Sequence, residues 1–136
     1  MIGLNQVYTH HFQFTQENVI QFAKVTGDNN PLHLDAEYAS HTRFKRPIIH
    51  GMLGASIFSK ILGTVFPGEG SIYLKQSLIF VKPMYVHTAY QAIFTVVAMI
   101  IEKNRIVIKT EIKEKEVGML CITGEATIVN DEKLRK

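Results

Sequence analysis

Hydrophobic and polar residues alternate along the first segment of the chain, and hydrophobic residues then recur at helical spacing. The alternation over residues 6–14 predicts a first strand. Thr15 is a typical helix N-cap and Gly27 a typical C-terminal stop, so the apolar residues between them predict a helix. The Asp-Asn-Asn-Pro sequence at residues 28–31 favours a turn, because proline cannot continue a helix. Asp35 is then expected to cap a further short helix.

A longer apolar segment with helical spacing extends from Met52 to Phe66. Its apolar residues lie around nearly the whole helix axis, so we expect this helix to be buried on most faces. Several of its residues are small, which allows neighbouring backbone to approach closely. The Pro-Gly-Glu-Gly sequence at residues 67–70 marks the end of the helix.

Strand-like alternation returns in the second half of the chain. It predicts one strand through residues 72–80, a long strand over 90–101, another over 106–112 and a last one over about 119–129. One strand, then helices, then four strands is the order of an α+β domain, with an antiparallel sheet around one buried helix. A single small layer buries too little surface alone, so we expect a partner subunit to cover the outer face of the sheet in an oligomer.

The composition is that of a single globular domain. The chain has 136 residues, 46% of them hydrophobic and 20% charged, with no repeat or linker-like tract, so we expect one domain over residues 1–136. No apolar run approaches the roughly 18 residues that suggest a membrane span, and no secretory signal is visible. The single Cys121 cannot form an intrachain disulfide. These features predict a cytoplasmic protein with no membrane partner.

The charge distribution argues against nucleic-acid binding. The formal net charge is only +3, and the cations do not alternate with exposed aromatic residues along a patch. The densest group is the Arg-Phe-Lys-Arg sequence at residues 43–46. Such a group is typical of a solvated loop, and it would also suit a small polyanionic ligand.

The chemistry-bearing residues cluster around the predicted turn. Asp28 and His33 are five residues apart and can converge if the turn folds back, where they could hold one water and exchange protons near neutral pH. Alternatively, Asp28 caps the turn and His33 fills a half-buried slot. Neither His33 nor His50 has a partner at the spacing that zinc hydrolases use, so no metal site is expected.

Gly51 stands at the entry to the long apolar helix. The first N–H groups of a helix have no partner within the helix and carry positive potential, so the Gly51 N–H could stabilise an oxyanion. Alternatively, the glycine only permits a tight turn into the helix.

Three segments resemble a known family. The sequence TGDNNPLH at residues 26–33 closely resembles the hydratase motif of the MaoC-like, (R)-specific enoyl-CoA hydratase family, S/T-G-D-x-N-P-L/I-H. Residues 46–52, RPIIHGM, resemble the family's entry to its central helix, and residues 70–80, GSIYLKQSLIF, are similar to its next strand. The resemblance covers about residues 8–130 in the expected order. It implies a hot-dog fold, in which a sheet wraps around a long helix.

The resemblance also implies a function and assigns residues to it. Asp28 and His33 would activate the water that adds to the β-carbon of a trans-2-enoyl thioester, giving a (3R)-hydroxyacyl product, and the Gly51 N–H would bind the thioester oxygen. The further residues implied in substrate binding or support are Asn30, which would order the turn, His50 and Ser59. The substrate would be an acyl-CoA or an acyl-carrier-protein thioester, bound near the interface of a homodimer, and no metal or redox cofactor would be required.

Two points stay open at this stage. Many relatives place a Gly-Asp pair after the residue equivalent to Pro83, whereas this chain has Tyr-Val-His-Thr at 85–88, which leaves the geometry of that loop open. Alternatives to the CoA hydratase are the same chemistry on an acyl carrier protein and a non-catalytic thioester-binding subunit. Lys45 and Arg46 could meet CoA phosphates or an acidic carrier surface, so they do not separate the two carriers.

Overall fold

The computed structural model describes residues 2–134, which form six strands, four α-helices and one 3-10 turn. In chain order the elements are β1 (Val7–Phe12), α1 (Gln16–Thr26), α2 (Pro31–Leu34), α3 (Ala36–Ser40), α4 (Gly51–Thr64), β2 (Ile72–Gln76), β3 (Ile79–Phe80), β4 (Tyr90–Ile100), the 3-10 turn (Ile101–Lys103), β5 (Arg105–Glu114) and β6 (Leu120–Val129). No helix within this range is both long and apolar enough to cross a membrane.

All six strands belong to one antiparallel sheet. Its order is β1-β4-β5-β6-β2, and the short β3 also pairs with β6. The inward-facing residues of β4, β5 and β6 are almost fully buried because α4 packs against this face. Phe58, Ile61 and Leu62 of α4 form the centre of that core. The predicted α+β architecture, a sheet around one long helix, is confirmed.

The ends of the central helix differ slightly from the expectation. α4 begins at Gly51 and ends at Thr64, where the sequence predicted Met52 to Phe66. Burial on most faces is only partly correct, because Met52 is 58% exposed and Ser59 also faces solvent. The sheet covers the side of α4 that carries Phe58, and the opposite side has no covering element in the described part of the chain.

The segment between α1 and α4 contains a helix that the sequence did not predict. The capped ends of α1 are confirmed, with Thr15 as N-cap and Gly27 in the left-handed region at φ 79°. α3 is also capped by Asp35 as expected. The additional α2 is a single turn that starts at Pro31, where the missing N–H of proline costs nothing because the first N–H groups of a helix have no intrahelical partner. The sequence predicted a turn at Pro31, whereas in the structure this residue begins a helix.

The predicted strand through residues 72–80 is divided in two by Ser77. The Ser77 N–H donates to the Glu125 carbonyl over 2.9 Å, and its hydroxyl accepts a hydrogen bond of 2.9 Å from the Glu125 N–H. This hydroxyl takes the place of a backbone carbonyl in a regular ladder, so the strand is interrupted although the apolar alternation continues. The Ser77 carbonyl lies against Gly124, which leaves no room for a side chain there.

Gly124 and Gly63 therefore give a matched pair of tests for this packing. A β-carbon at Gly124 would overlap with the Ser77 carbonyl oxygen, whereas one at Gly63 would meet nothing within 4 Å. We expect Gly124→Ala to lower the free energy of unfolding by about 2–3 kcal/mol because of this overpacking. Gly63→Ala should raise it by about 0.5–1 kcal/mol, as alanine favours a helix interior. Urea unfolding of both variants measures this, and equal midpoints would contradict the packing described at Ser77.

Candidate active site

The turn between α1 and α2 places Asp28 and His33. The Asp28 N–H donates to the Thr26 hydroxyl over 3.2 Å, and the Asn30 N–H donates to the Asp28 carboxylate over 3.4 Å. The Asn30 side-chain oxygen then accepts from the Leu32 N–H over 3.1 Å and so caps α2. His33 points inward from α2 and is 9% exposed, while Asp28 stays at the surface of the turn. The predicted role of Asn30 in ordering the turn agrees with these contacts.

Two histidines join this turn to the segment that enters α4. His33 donates from Nδ1 to the Ile48 carbonyl over 2.8 Å, and His50 donates from Nε2 to the Asp28 carbonyl over 3.0 Å. The two imidazole rings lie against each other with centroids 3.9 Å apart. We call this pair of crossed hydrogen bonds the histidine clasp. Each segment contributes one imidazole and one carbonyl, so neither can move without breaking a bond.

The histidine clasp also determines which ring nitrogens carry hydrogen and which are free to accept a proton. A carbonyl oxygen only accepts, so Nδ1 of His33 and Nε2 of His50 both carry hydrogen. The Nε2 atom of His33 is therefore the nitrogen of this ring that can take a proton. The Nδ1 atom of His50 is buried and has no hydrogen-bond partner among the described residues.

Asp28, His33 and His50 form one compact group. Each offers a carboxylate oxygen or ring nitrogen, and these three atoms lie within 4.8 Å of one another. The predicted convergence of Asp28 with His33 is thus present in the structure. A carboxylate and an imidazole at this separation can hold one water between them.

The same three atoms could also act as ligands of a transition-metal ion, since imidazole and carboxylate suit such metals. This grouping was not predicted from the sequence, because the chain brings His50 to His33 through tertiary contact and not through helical spacing. The expectation that the site uses no metal stays a prediction.

The electrostatics of the site favour a neutral His33. Burial lowers the pKa of His33 below its ordinary value, and the adjacent His50 lowers it further. The hydrogen bond to the Ile48 carbonyl and the Asp28 carboxylate act in the opposite direction, but the net shift of the pKa is downward. A neutral imidazole at pH 7 has the lone pair that a general base requires.

Gly51 begins α4 directly beside this group. The first helical N–H groups have no intrahelical acceptor, and the N-cap His50 makes no side-chain capping bond to them. The Phe80 ring packs on Gly51 so closely that a β-carbon there would lie 2.7 Å from Phe80 Cε1. The absence of a side chain at Gly51 lets β3 approach the helix start, and Gly51 is among the residues that line the cavity beside this group.

A cavity of about 780 Å³ brings these groups together. Its walls come from the turn with Asp28 and His33, the loop before α4 and the start of α4, the stretch from β3 to Tyr85, and Ile122 of β6. Four of the predicted site residues line it, namely Asp28, His33, His50 and Gly51. The other lining residues are Arg43, Phe44, Ile48, Ile49, Met52, Phe80, Val81, Lys82, Pro83, Met84, Tyr85 and Ile122.

Asn30 and Ser59 lie outside this cavity wall. Asn30 is exposed on the turn, and Ser59 is on the side of α4 that faces solvent. Their contact with a substrate stays a prediction. The sequence missed Phe80 and Met84 as wall residues, although the small residues Gly51 and Gly54 against which they pack were a usable signal.

The loop at residues 85–88 has a defined geometry without glycine. His87 adopts a left-handed backbone with φ 55°, which histidine tolerates better than most residues with a side chain. The His87 N–H donates to the Phe14 carbonyl over 2.8 Å, and the Tyr85 N–H donates to the Tyr90 hydroxyl over 2.7 Å. The geometry of this loop, which the sequence did not predict, is thus held by two hydrogen bonds next to the cavity.

Comparisons with known proteins agree with this fold and site. The sequence model of the MaoC like domain matches residues 3–118. An (R)-specific enoyl-CoA hydratase from Aeromonas caviae is 45% identical over 116 residues, which cover 85% of this chain and 86% of that protein. A mitochondrial 3-hydroxyacyl-(acyl-carrier-protein) dehydratase from Solanum lycopersicum is 39% identical over 128 residues, or 93% of this chain and 76% of that protein.

A solved structure is similar over nearly the whole chain. It is an (R)-hydratase from A. caviae, with a TM-score of 0.90 and 41% sequence identity. The match covers 95% of this chain and 97% of the other. The hot-dog fold implied by the sequence resemblance is therefore confirmed, and the chain belongs to the MaoC-like domain family.

Proposed function

We propose that this chain catalyses the reversible addition of water to trans-2-enoyl-CoA thioesters, giving (3R)-hydroxyacyl-CoA. The observation that carries this proposal is the convergence of Asp28, His33 and the Gly51 N–H on one cavity. The named activity of the A. caviae relative supports it, because that protein is an (R)-specific enoyl-CoA hydratase and is 45% identical. The cavity residues supply both a water-binding pair and an oxyanion donor.

The Asp28 carboxylate and Nε2 of His33 would orient and activate the water. Both accept hydrogen bonds, so a water between them presents its oxygen lone pair to the β-carbon of the enoyl group. As the C–O bond forms, the proton leaves the water for the Asp28–His33 pair. The pair then delivers that proton to the α-carbon, so that hydroxyl and hydrogen are both added and the pair returns to its starting state.

The Gly51 N–H would stabilise the charge that develops on the thioester oxygen. Attack at the β-carbon moves electron density through the α-carbon to the carbonyl, which gains enolate character. A backbone N–H at the start of α4 meets this charge, and the helix dipole adds to its effect. Each of these steps uses groups of the chain and the water, so the reaction as written needs no cofactor.

A second candidate is the same reaction on an acyl carrier protein. The S. lycopersicum relative is named as a dehydratase of carrier-bound 3-hydroxyacyl groups and is 39% identical. The residues of the acid–base pair do not distinguish the two carriers, because they act on the acyl group alone. A non-catalytic binding subunit is disfavoured by the intact Asp28 and His33. The cytoplasmic location and the lack of nucleic-acid binding stay predictions.

We further propose that the chain acts as a homodimer. The edge formed by β2 and β3 presents a row of exposed apolar residues: Ile72 (60% exposed), Leu74 (43%), Ile79 (63%), Phe80 (50%) and Val81 (43%). An apolar edge strand of this kind is a template for pairing with another chain. A second copy is the occupant we favour, because pairing there buries both edges and continues the sheet. Phe80 also lines the cavity, so this interface would adjoin the site.

The acid–base pair is tested by Asp28→Asn. We expect this change to lower kcat about 10²–10⁴-fold, because the amide cannot act together with His33 in taking up the proton of the water. Hydration of crotonyl-CoA, followed by the loss of enoyl absorbance with chiral analysis of the product, measures the rate. Asp35→Asn is the matched control, since asparagine also caps a helix well and Asp35 is not among the residues that line the cavity. A rate within a few-fold of wild type in a folded Asp28→Asn protein would refute the mechanism.

The lowered pKa of His33 predicts the pH dependence of the reaction. Protonation of Nε2 removes the acceptor, so kcat/KM should fall as the pH drops through the His33 pKa and be flat above it. Because burial lowers this pKa, the acid limb should lie below the ordinary histidine value of about 6.5. His41 is exposed to solvent, so the control variant His41→Gln should show the acid limb of kcat/KM at the same pH as wild type. A limb at or above the ordinary value would argue against a neutral His33 as base.

The dimer is tested by sedimentation of two lysine variants. Ile79→Lys places a charge in the exposed edge and should shift the protein from twice the mass of the chain to the mass of one chain. Val25→Lys adds the same charge on α1, where Val25 is 87% exposed, and should leave the dimer intact. Wild-type protein that sediments as a single chain at micromolar concentration would exclude this interface.

A further inference from the structure

Two cationic residues from separate segments of the chain line the cavity. Arg43 belongs to the loop between α3 and α4, and Lys82 follows β3. Both residues are exposed to solvent while they line the cavity, as expected for positions at its opening. Asp28 is the one carboxylate among the described residues of the cavity wall. The opening therefore has a positive balance of charge.

Neither cation is neutralised by the fold. The one ion pair among residues 2–134 joins Lys109 to Glu111 over 3.6 Å, on β5. The Arg43 guanidinium lies 5.3 Å from the ring centre of Phe44, a contact that leaves its N–H groups available for an anion. Exposed cations without an ion-pair partner, at the opening of a substrate cavity, attract anionic groups of a ligand.

The neighbouring cations are placed differently. The Arg46 guanidinium lies over the Tyr85 ring at 3.9 Å, and Arg46 is outside the set of lining residues. Lys45 is exposed with a left-handed backbone at φ 69° and does not line the cavity. The sequence predicted that the cations of residues 43–46 suit a polyanionic ligand and that Lys45 and Arg46 could meet a carrier. Of these three cations Arg43 lines the cavity, and Lys82 from another segment lines it as well.

We propose that Arg43 and Lys82 form an anion subsite that binds phosphate groups of the carrier arm of the thioester. The proposal rests on the proposed function, which places the acyl group beside Asp28, His33 and Gly51 and so directs the carrier arm out through the opening. Coenzyme A carries a diphosphate and a 3′-phosphate, and an acyl carrier protein presents the phosphodiester of its phosphopantetheine. Both offer the same oxygen acceptors to a guanidinium and an ammonium group.

The experiment compares thioesters that differ in phosphate content. The double variant Arg43→Gln/Lys82→Gln removes both charges while keeping polar side chains of similar reach. Its substrates are crotonyl-CoA, crotonyl-pantetheine, which has no phosphate, and the crotonyl thioester of an acyl carrier protein. Lys103→Gln, an exposed lysine in the 3-10 turn at the far end of the β4–β5 hairpin, is the matched control.

We expect kcat/KM for crotonyl-CoA to fall about 5- to 10-fold in the double variant, mostly through KM, since exposed ion pairs contribute modestly. The value for crotonyl-pantetheine should not change, and the Lys103→Gln protein should behave as wild type with all three substrates. A loss with crotonyl-CoA alone would assign the subsite to the nucleotide phosphates. A loss with the carrier-protein thioester as well would assign it to the phosphodiester that both carriers share.

Other outcomes overturn the proposal. An unchanged kcat/KM for both phosphate-bearing substrates excludes the subsite. An equal loss with crotonyl-pantetheine shows that the two residues support the site itself and not a phosphate. If the proposed function itself is wrong, the wild-type chain will hydrate none of the three thioesters, and this result differs from every outcome above. Calorimetric titration with coenzyme A then still tests the subsite, and equal affinity in wild type and double variant would exclude it.

Discussion

Two hydrogen bonds from imidazoles to backbone carbonyls hold the candidate site together. His33 donates to the Ile48 carbonyl and His50 to the Asp28 carbonyl, so the turn after α1 and the entry to α4 are tied twice, in opposite directions. A further bond joins the Ile48 N–H to the Leu32 carbonyl over 3.3 Å. In each of these bonds the acceptor is a backbone carbonyl. The positions of Asp28, His33 and Gly51 in the candidate site therefore depend on the backbone of the turn after α1 and of the segment that enters α4.

The other features of the site follow from this connection. His50 is both a member of the clasp and the N-cap of α4, so the bond that positions Asp28 also positions the Gly51 N–H. The stacking of the two rings brings His50 close enough to help lower the pKa of His33. The proposed acid–base pair and the proposed oxyanion donor are therefore parts of one hydrogen-bonded unit at the start of α4.

The sequence predicted the helix caps, the long strands and the pair of Asp28 with His33, because each depends on residues that are near in the chain. Thr15, Gly27 and Asp35 act locally, and the motif around Asp28 is continuous. The sequence could not show the contact of His33 with His50 or that Arg43 and Lys82 line the same cavity, since tertiary packing alone creates these. It also predicted one strand where Ser77 makes two, because a side-chain hydrogen bond to the backbone leaves the apolar alternation unchanged.

The choice of ring nitrogen in the clasp has a consequence for how the site moves during a reaction. A histidine that donates through Nδ1 keeps that hydrogen when Nε2 is protonated, so the bond to the Ile48 carbonyl is present in both charge states. Neither a ring flip nor an exchange of partners accompanies the proton, and little reorganisation of the protein opposes its transfer. In the proposed reaction the His33 imidazole would gain and lose charge in every turnover while its hydrogen bond to the Ile48 carbonyl stays in place.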